Sequence, residues 1–403
     1  MKSWGPIRLV LFQILAGITF SFGDLVANSY ASSNYGLSLL WTKLLALLLT
    51  IFLLQIAAQL GAFTGRGLIE NIKHNYGVHA SIICCSIIAV SNAASIAAEV
   101  AVASTFLEFF TNLSNKFWAP LMALALCILA VKYSSNIVKI IISLMSFLML
   151  LIFPVALSCK FDFNDLVRGF LVISPISSKD WLITVLAMIG CVIGGYTIFF
   201  EVHEASESPN SMFELSSRYF GASIGSLLSF IIAVSIMIIC STQLYSMGVR
   251  VESINDILMF LIPKLGGFGV VLFVIGILTS FLLSISVIVI SNFRLLEELV
   301  SDIAEAVRVR YVILSGWKII LASASVLLGA FLTTLNVNVI KLSLYASALS
   351  TILLPIPLLF MARIFGSLKL PLNFGFKFLK FLCWFVIAII SIFSFSSIIL
   401  AFI

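Results

Sequence analysis

Ser21-Phe22-Gly23-Asp24 breaks an apolar stretch that runs from Ile7 to Ser32, and Gly190-Cys191-Val192-Ile193-Gly194-Gly195-Tyr196 breaks a second, from Trp181 to Phe200. Each stretch is long enough to cross a bilayer as a helix, which takes about 20 apolar residues. Good helix formers fill Ile7 to Phe20, and then a serine, a glycine and an acid interrupt them. At the second break Gly194 and Gly195 each cost about 1 kcal/mol of helix stability relative to alanine and loosen backbone carbonyls. A mid-span carboxylate costs about 3 kcal/mol on insertion scales and more in simulation, so Asp24 implies a task. Two interrupted membrane helices in corresponding places point to an inverted-repeat transporter with its site near the midplane. A plainer reading of the paired glycines, close helix packing through small residues, stays open at this level.

The remaining composition fits that frame. Of 403 residues, 62% are hydrophobic and 10% charged, which excludes a soluble enzyme and gives an all-α polytopic membrane protein. Eleven spans are predicted: Ile7–Ser32, Leu37–Leu60, Val78–Ser104, Phe117–Val131, Ile137–Leu157, Trp181–Phe200, Phe220–Tyr245, Phe268–Ile290, Ile319–Leu335, Val339–Ala362 and Phe381–Phe402. They divide as a 5+5 inverted repeat (LeuT-like) plus one helix, with helices one and six broken: residues 1–165, 166–365 and 366–403. With a cytoplasmic N-terminus, 15 of the 23 lysines and arginines fall on the inner side and 8 on the outer. The positive-inside rule therefore predicts a cell (inner) membrane protein with its N-terminus inside and its C-terminus outside.

Several classes drop out. The first span is too long, and lacks a small-residue cleavage site, to read as a removable signal. The net charge of +6 is accounted for by basic inner loops and calls for no nucleic acid. No Walker loop and no long soluble stretch is present for a nucleotide. The seven cysteines show neither metal-ligand spacing nor a disulfide framework, and read as small core residues apart from Cys191 in the break. Lys43, near the outer end of the second span, is expected to snorkel to the interface.

Two runs carry a family resemblance: Tyr35-Gly36-Leu37-Ser38-Leu39-Leu40-Trp41, and Gln55-Ile56-Ala57-Ala58-Gln59-Leu60-Gly61-Ala62-Phe63-Thr64-Gly65-Arg66-Gly67-Leu68-Ile69-Glu70. They resemble the second-helix signature of the Nramp (natural resistance-associated macrophage protein) metal-ion transporters, and length, helix number and the two breaks agree along nearly the whole chain. Aligned without gaps on Tyr35 to Trp41, the family's Asp-Pro-Gly-Asn break falls on Ser21 to Asp24, so its metal-binding Asp has become Ser21 and its Asn Asp24. The helix-six Ala-x-x-Met-Pro-His falls on Cys191 to Tyr196, which puts Gly194 for the methionine, Gly195 for the proline and Tyr196 for the histidine. A shifted alignment, with Asp24 as the acid and Asn28 as the amide one turn along the same face, stays open. The helix-ten glutamine of the family has no counterpart at Leu344 or Tyr345, and Pro355 and Pro357 are expected to kink that helix.

The resemblance implies a divalent metal ion as cargo, no resident cofactor and no enzymatic activity. Asp24, Ser21 and carbonyls of Cys191 and Gly194 make the expected shell, mostly hard oxygen, which suits Mg²⁺ or Mn²⁺. The family's third-helix Asp-x-x-Glu is similar to Ile96-Ala97-Ala98-Glu99, so Glu99, with Glu201 and His203 on helix six, forms the candidate proton route. Other readings remain for these groups: a paired structural charge at Glu99, and a solvated inner helix end at Glu201, His203, Glu204 and Glu207. The expected function is secondary or facilitated transport of a divalent cation into the cytoplasm by alternating access, with proton coupling as the family feature. An amino-acid or other organic-solute transporter of the same architecture is the alternative, and a non-transporting sensor or scaffold the third.

Overall fold

The computed structural model describes residues 20–132, 147–175, 178–207, 212–307, 327, 330–331, 335, 337–368 and 374–402. Its helices are α1 (Phe22–Tyr35), α2 (Leu40–Thr64), α3 (Leu68–Tyr76), α4 (Val78–Thr111), α5 (Asn115–Lys132), α6 (Ile152–Ser158), α7 (Phe163–Leu171), α8 (Lys179–Gly190), α9 (Gly195–Ser206), α10 (Met212–Gln243), α11 (Ile254–Val307), α12 (Val339–Leu353), α13 (Pro355–Ser367) and α14 (Phe374–Phe402). Seven stretches among the described residues are long and apolar enough to cross a membrane. Spans one and five lie partly outside the described residues, and span nine largely so.

Local chemistry sets the element ends. Gly65 and Gly77, at φ 62° and 85°, close α2 and α3 in a backbone region that costs glycine little. Gly266, at φ 67°, turns the chain inside α11 and makes it two helices. Ser178 caps α8 by accepting from the Trp181 amide at 3.1 Å, and Asn338 caps α12 by accepting from Lys341 at 3.0 Å. Span six is two helices, α8 and α9, separated at residues 191–194, as its glycines predicted. Span ten is also two, because Pro355 starts α13 directly after Leu354.

The half-helix α1 sits at the centre, packed against α4, α8, α10 and α12. Around it α9 lies along α2, and α12 lies against both α8 and α4. Phe22 pins the start of α1 through ring contacts to Phe106 of α4 at 5.0 Å and Phe281 of α11 at 5.5 Å. Polar ties cross the helix interfaces: Ser91 with Ser350 at 2.7 Å, Thr351 to the Leu186 carbonyl at 2.8 Å, and Asn92 to Asn292 at 2.7 Å. In hydrocarbon such bonds replace the water that would otherwise satisfy these groups. At the Tyr35 end, α1, α7 and α10 border a cavity of about 640 Å³ lined by Tyr35, Ser38, Asp162, Asp165, Thr242 and Tyr245 among others.

Candidate metal-ion site

The site grows from the loose ends at the first break. Ser21 is the N-cap of α1: its Oγ accepts from the Asp24 amide at 3.3 Å, and Asp24 Oδ2 accepts from the Ser21 amide at 3.3 Å. That is a capping box, in which serine and acid three residues apart satisfy each other's backbone. The next two free amides turn to Glu99 on α4, with Phe22 N–H donating to Oε2 at 3.1 Å and Gly23 N–H to Oε1 at 2.8 Å. A Cβ at Gly23 would stand 2.9 Å from Glu99 Oε1, so glycine lets that carboxylate approach without shifting. The Phe20 carbonyl, just before the cap, accepts from the Ser280 hydroxyl. Among the described residues, the amides of Ser21, Phe22, Gly23 and Asp24 and the Phe20 carbonyl are thus each answered by a side chain.

The capping box uses one carboxylate oxygen of Asp24 and leaves the other for a cation. That cation is Lys43, whose Nζ lies 3.2 Å from Asp24 Oδ1, with the two side chains 2% and 4% exposed. The same ammonium donates to the Met188 carbonyl at 3.1 Å and to Cys191 Sγ at 3.2 Å, both at the second break. The two broken helices therefore meet around one buried positive centre. Lys43 does not snorkel, contrary to the expectation from its place near the end of α2. The packing of α2 against α8 and α9 aims its stem inward, and pairing with a carboxylate and a carbonyl offsets the cost of burying the charge.

The other expected residues divide in two. Asp24, Ser21 and Cys191 come together, Cys191 through its sulfur as well as its place in the break. The Gly194 carbonyl instead accepts from the Thr197 amide at 3.0 Å and serves the first turn of α9. A side chain at 194 would run into Tyr196, and one at 190 into the Ser347 carbonyl of α12, so the close helix packing foreseen for Gly194-Gly195 is found at Gly190. Glu201 pairs with Arg218 at 3.5 Å. His203 is buried, with Nδ1 2.8 Å from Glu298 Oε1 and Nε2 3.4 Å from Glu207. Of the solvated face expected there, Glu207 is exposed at 54%, Glu201 and Glu204 are half-buried, and His203 is buried. Among the described residues no three His, Cys, Asp or Glu side chains gather as a metal cage, so an ion here would rely on carbonyl, hydroxyl and water as well.

Sequence reasoning missed Met188, Lys43 and the anchoring of α1 by Glu99. The Ser-x-x-Asp spacing is the signal that could have revealed the capping box; the Lys43 contact has none, since it joins residues 19 apart through a helix packing. One further group lies beside the site. Asn28, one turn along α1 from Asp24, is fully buried, and neither its amide oxygen nor its nitrogen has a hydrogen-bond partner among the described residues.

Comparison with known proteins bears on the family and the fold. The sequence profile described as natural resistance-associated macrophage protein-like, Nramp, matches residues 16–400. The chain belongs to the Nramp family. The metal transporter Nramp6.2 of Populus trichocarpa is 27% identical over 248 residues, a match spanning 58% of this chain and 44% of that protein. This Nramp chain thus aligns with less than half the length of that curated relative. A variant of the Eremococcus coleocola manganese transporter superposes with a TM-score of 0.78 at 13% identity, covering 98% of this chain and 88% of that one. MhsT bound to L-phenylalanine superposes at 0.62 and 14% identity, covering 96% and 98%. At these identities the structural likeness shows the fold alone; in this fold the Nramp chain has Asp24 in the first turn of α1 and Cys191 between α8 and α9.

Proposed function

We propose that this Nramp protein is a secondary transporter that carries a divalent metal ion, Mg²⁺ or Mn²⁺, into the cytoplasm by alternating access. The observation that carries the reading is the meeting of both helix breaks around a cationic point, ringed by Asp24 Oδ1, the Met188 carbonyl and Cys191 Sγ. Membership of a metal-transporter family supports it, and so does the hard-oxygen character of most donors. Ser21 and the orphaned Asn28 amide are the next ligands to hand. We assign the access route to the α1 face that carries Asp24, Asn28 and Ser32, spaced by four residues; it is buried in this conformation and runs toward the helix end whose Tyr35 lines the cavity. The two five-helix repeats, residues 1–165 and 166–365, would rock about this point, with the Tyr35 end outside and the N-terminus in the cytoplasm.

Organic acids and amino acids fit less well. In this architecture a substrate carboxylate binds the free amides of the broken first helix. Here Glu99 and the Ser21 hydroxyl already take the amides of Phe22, Gly23 and Asp24. Proton coupling is assigned to Glu99, with Glu201 and His203 farther along α9. A proton on Glu99 would forfeit one of its two amide bonds and loosen the end of α1 beside the cargo carboxylate.

Uptake into proteoliposomes loaded with a metal-sensitive dye tests the reading. Mn²⁺ or Mg²⁺ is expected to enter, and Asp24→Ala to abolish entry. Uptake of a labelled amino acid without metal uptake would overturn it.

A further inference from the structure

The three atoms around Lys43 Nζ are a carboxylate oxygen, a backbone carbonyl oxygen and a sulfur, at 3.2, 3.1 and 3.2 Å. These are the donors a transported cation would use, converging from the two breaks. We infer that Lys43 is the site's own resident cation: in this conformation its ammonium occupies the cargo position, and a metal ion binds only when the ammonium withdraws. The inference rests on the reading of the cargo as a divalent cation.

Charge makes the two occupants exclusive. Asp24 is the acid in contact with the ammonium, so the pair is neutral as it stands. A doubly charged ion added at the same donors would lie within about 4 Å of an ammonium, in surroundings where such repulsion is far stronger than in water. Withdrawal of Lys43 removes that repulsion and frees one carboxylate oxygen, one carbonyl and Cys191 Sγ together. The lysine stem has four flexible carbons, so the head can leave while α2 stays packed on α9 and α10.

The arrangement also answers what the carrier does without cargo. An unpaired carboxylate sealed in the protein is costly, and the returning carrier would have to move with Asp24 bare. With Lys43 seated, the unloaded site crosses as a neutral pair. Lys43 thereby acts as a specificity-determining residue: only a cation able to outcompete a tethered ammonium for Asp24 is carried, which favours charge two over charge one.

The test is calorimetric titration of the purified full chain with Mn²⁺ alone and Mg²⁺ alone, beside Lys43→Gln and Lys43→Arg, with gel filtration as the check of folding. Glutamine keeps a donor toward Asp24 and removes the charge; arginine keeps the charge and grips a carboxylate with two bonds. Lys43→Gln is expected to bind at least about tenfold tighter than the native chain. Native-like or weaker binding by Lys43→Gln, with the native chain binding normally, overturns the inference and leaves the transport reading standing. A native chain that does not bind beside a Lys43→Gln variant that does supports the inference and overturns transport by the native chain. Binding by neither overturns the reading of function and the inference with it. If Lys43→Gln does not fold, Lys43→Arg decides: weaker binding than native supports the inference, and equal or tighter binding overturns it.

Discussion

Asn28 carries four unanswered hydrogen-bonding positions in a place no water reaches from outside. A buried polar group without partners costs about 1 to 3 kcal/mol, a cost in stability that the proposed ligand role beside Asp24 would explain. Asn28→Leu, close in size and apolar, is expected to raise the stability of the folded protein by about that amount while lowering metal uptake. Thermal unfolding in detergent and the dye assay read the two effects; a fall in stability would mean that Asn28 is bonded in the folded state. At this scale the sequence was half legible. Asp24 declared itself by lying in an apolar stretch, a local signal, and Ser21 by standing where the family alignment puts the metal-binding Asp. Lys43, Met188 and the partners of Glu99 arise where separate helices touch, and local pattern holds no trace of that.

Among the elements, α8 and α1 are held by contrasting means. Gly190 lets α8 lie directly on α12, because a Cβ there would run into the Ser347 carbonyl. Gly195 begins α9 with nothing nearer than 3.8 Å to its absent Cβ. Gly190→Ala is therefore expected to destabilise by about 1 to 3 kcal/mol through overpacking, and Gly195→Ala to be neutral or to stabilise by up to about 1 kcal/mol. Equal melting temperatures for the two variants would contradict this assignment of the close contact. For α1, Glu99→Gln keeps the size but turns one acceptor into a donor facing a backbone amide, and is expected to cost about 1 to 3 kcal/mol. Both breaks were readable from glycine, serine and acid interrupting helix formers, and the division of span ten from its prolines. Which glycine met a neighbouring helix was not, because that depends on how α8 and α12 are laid together.

Over the whole molecule, three elements join at the end away from Tyr35. Glu298 of α11 accepts from the Ile69 amide at the start of α3 at 2.9 Å and meets His203 of α9 at 2.8 Å. Gly67 leaves room for it, as a Cβ there would collide with the carboxylate. Under the proposed alternating access α9 would part from this joint; Glu298→Ala removes the acceptor of the Ile69 amide and is expected to speed hydrogen exchange across Leu68–Tyr76, and unchanged exchange would remove the joint from the proposed gate. The class of fold was plain from hydropathy alone, and the family from the second-helix runs. The state of the site was not, since an ammonium within hydrogen-bonding distance of Asp24 is a property of the assembled helices. The most direct test of the central claim is a structure determined with Mn²⁺ at a wavelength where it scatters anomalously. An anomalous peak within about 2.5 Å of Asp24 Oδ1, with Lys43 Nζ moved away, is the predicted result; a peak elsewhere, or Lys43 still seated on Asp24 beside saturating Mn²⁺, would contradict it.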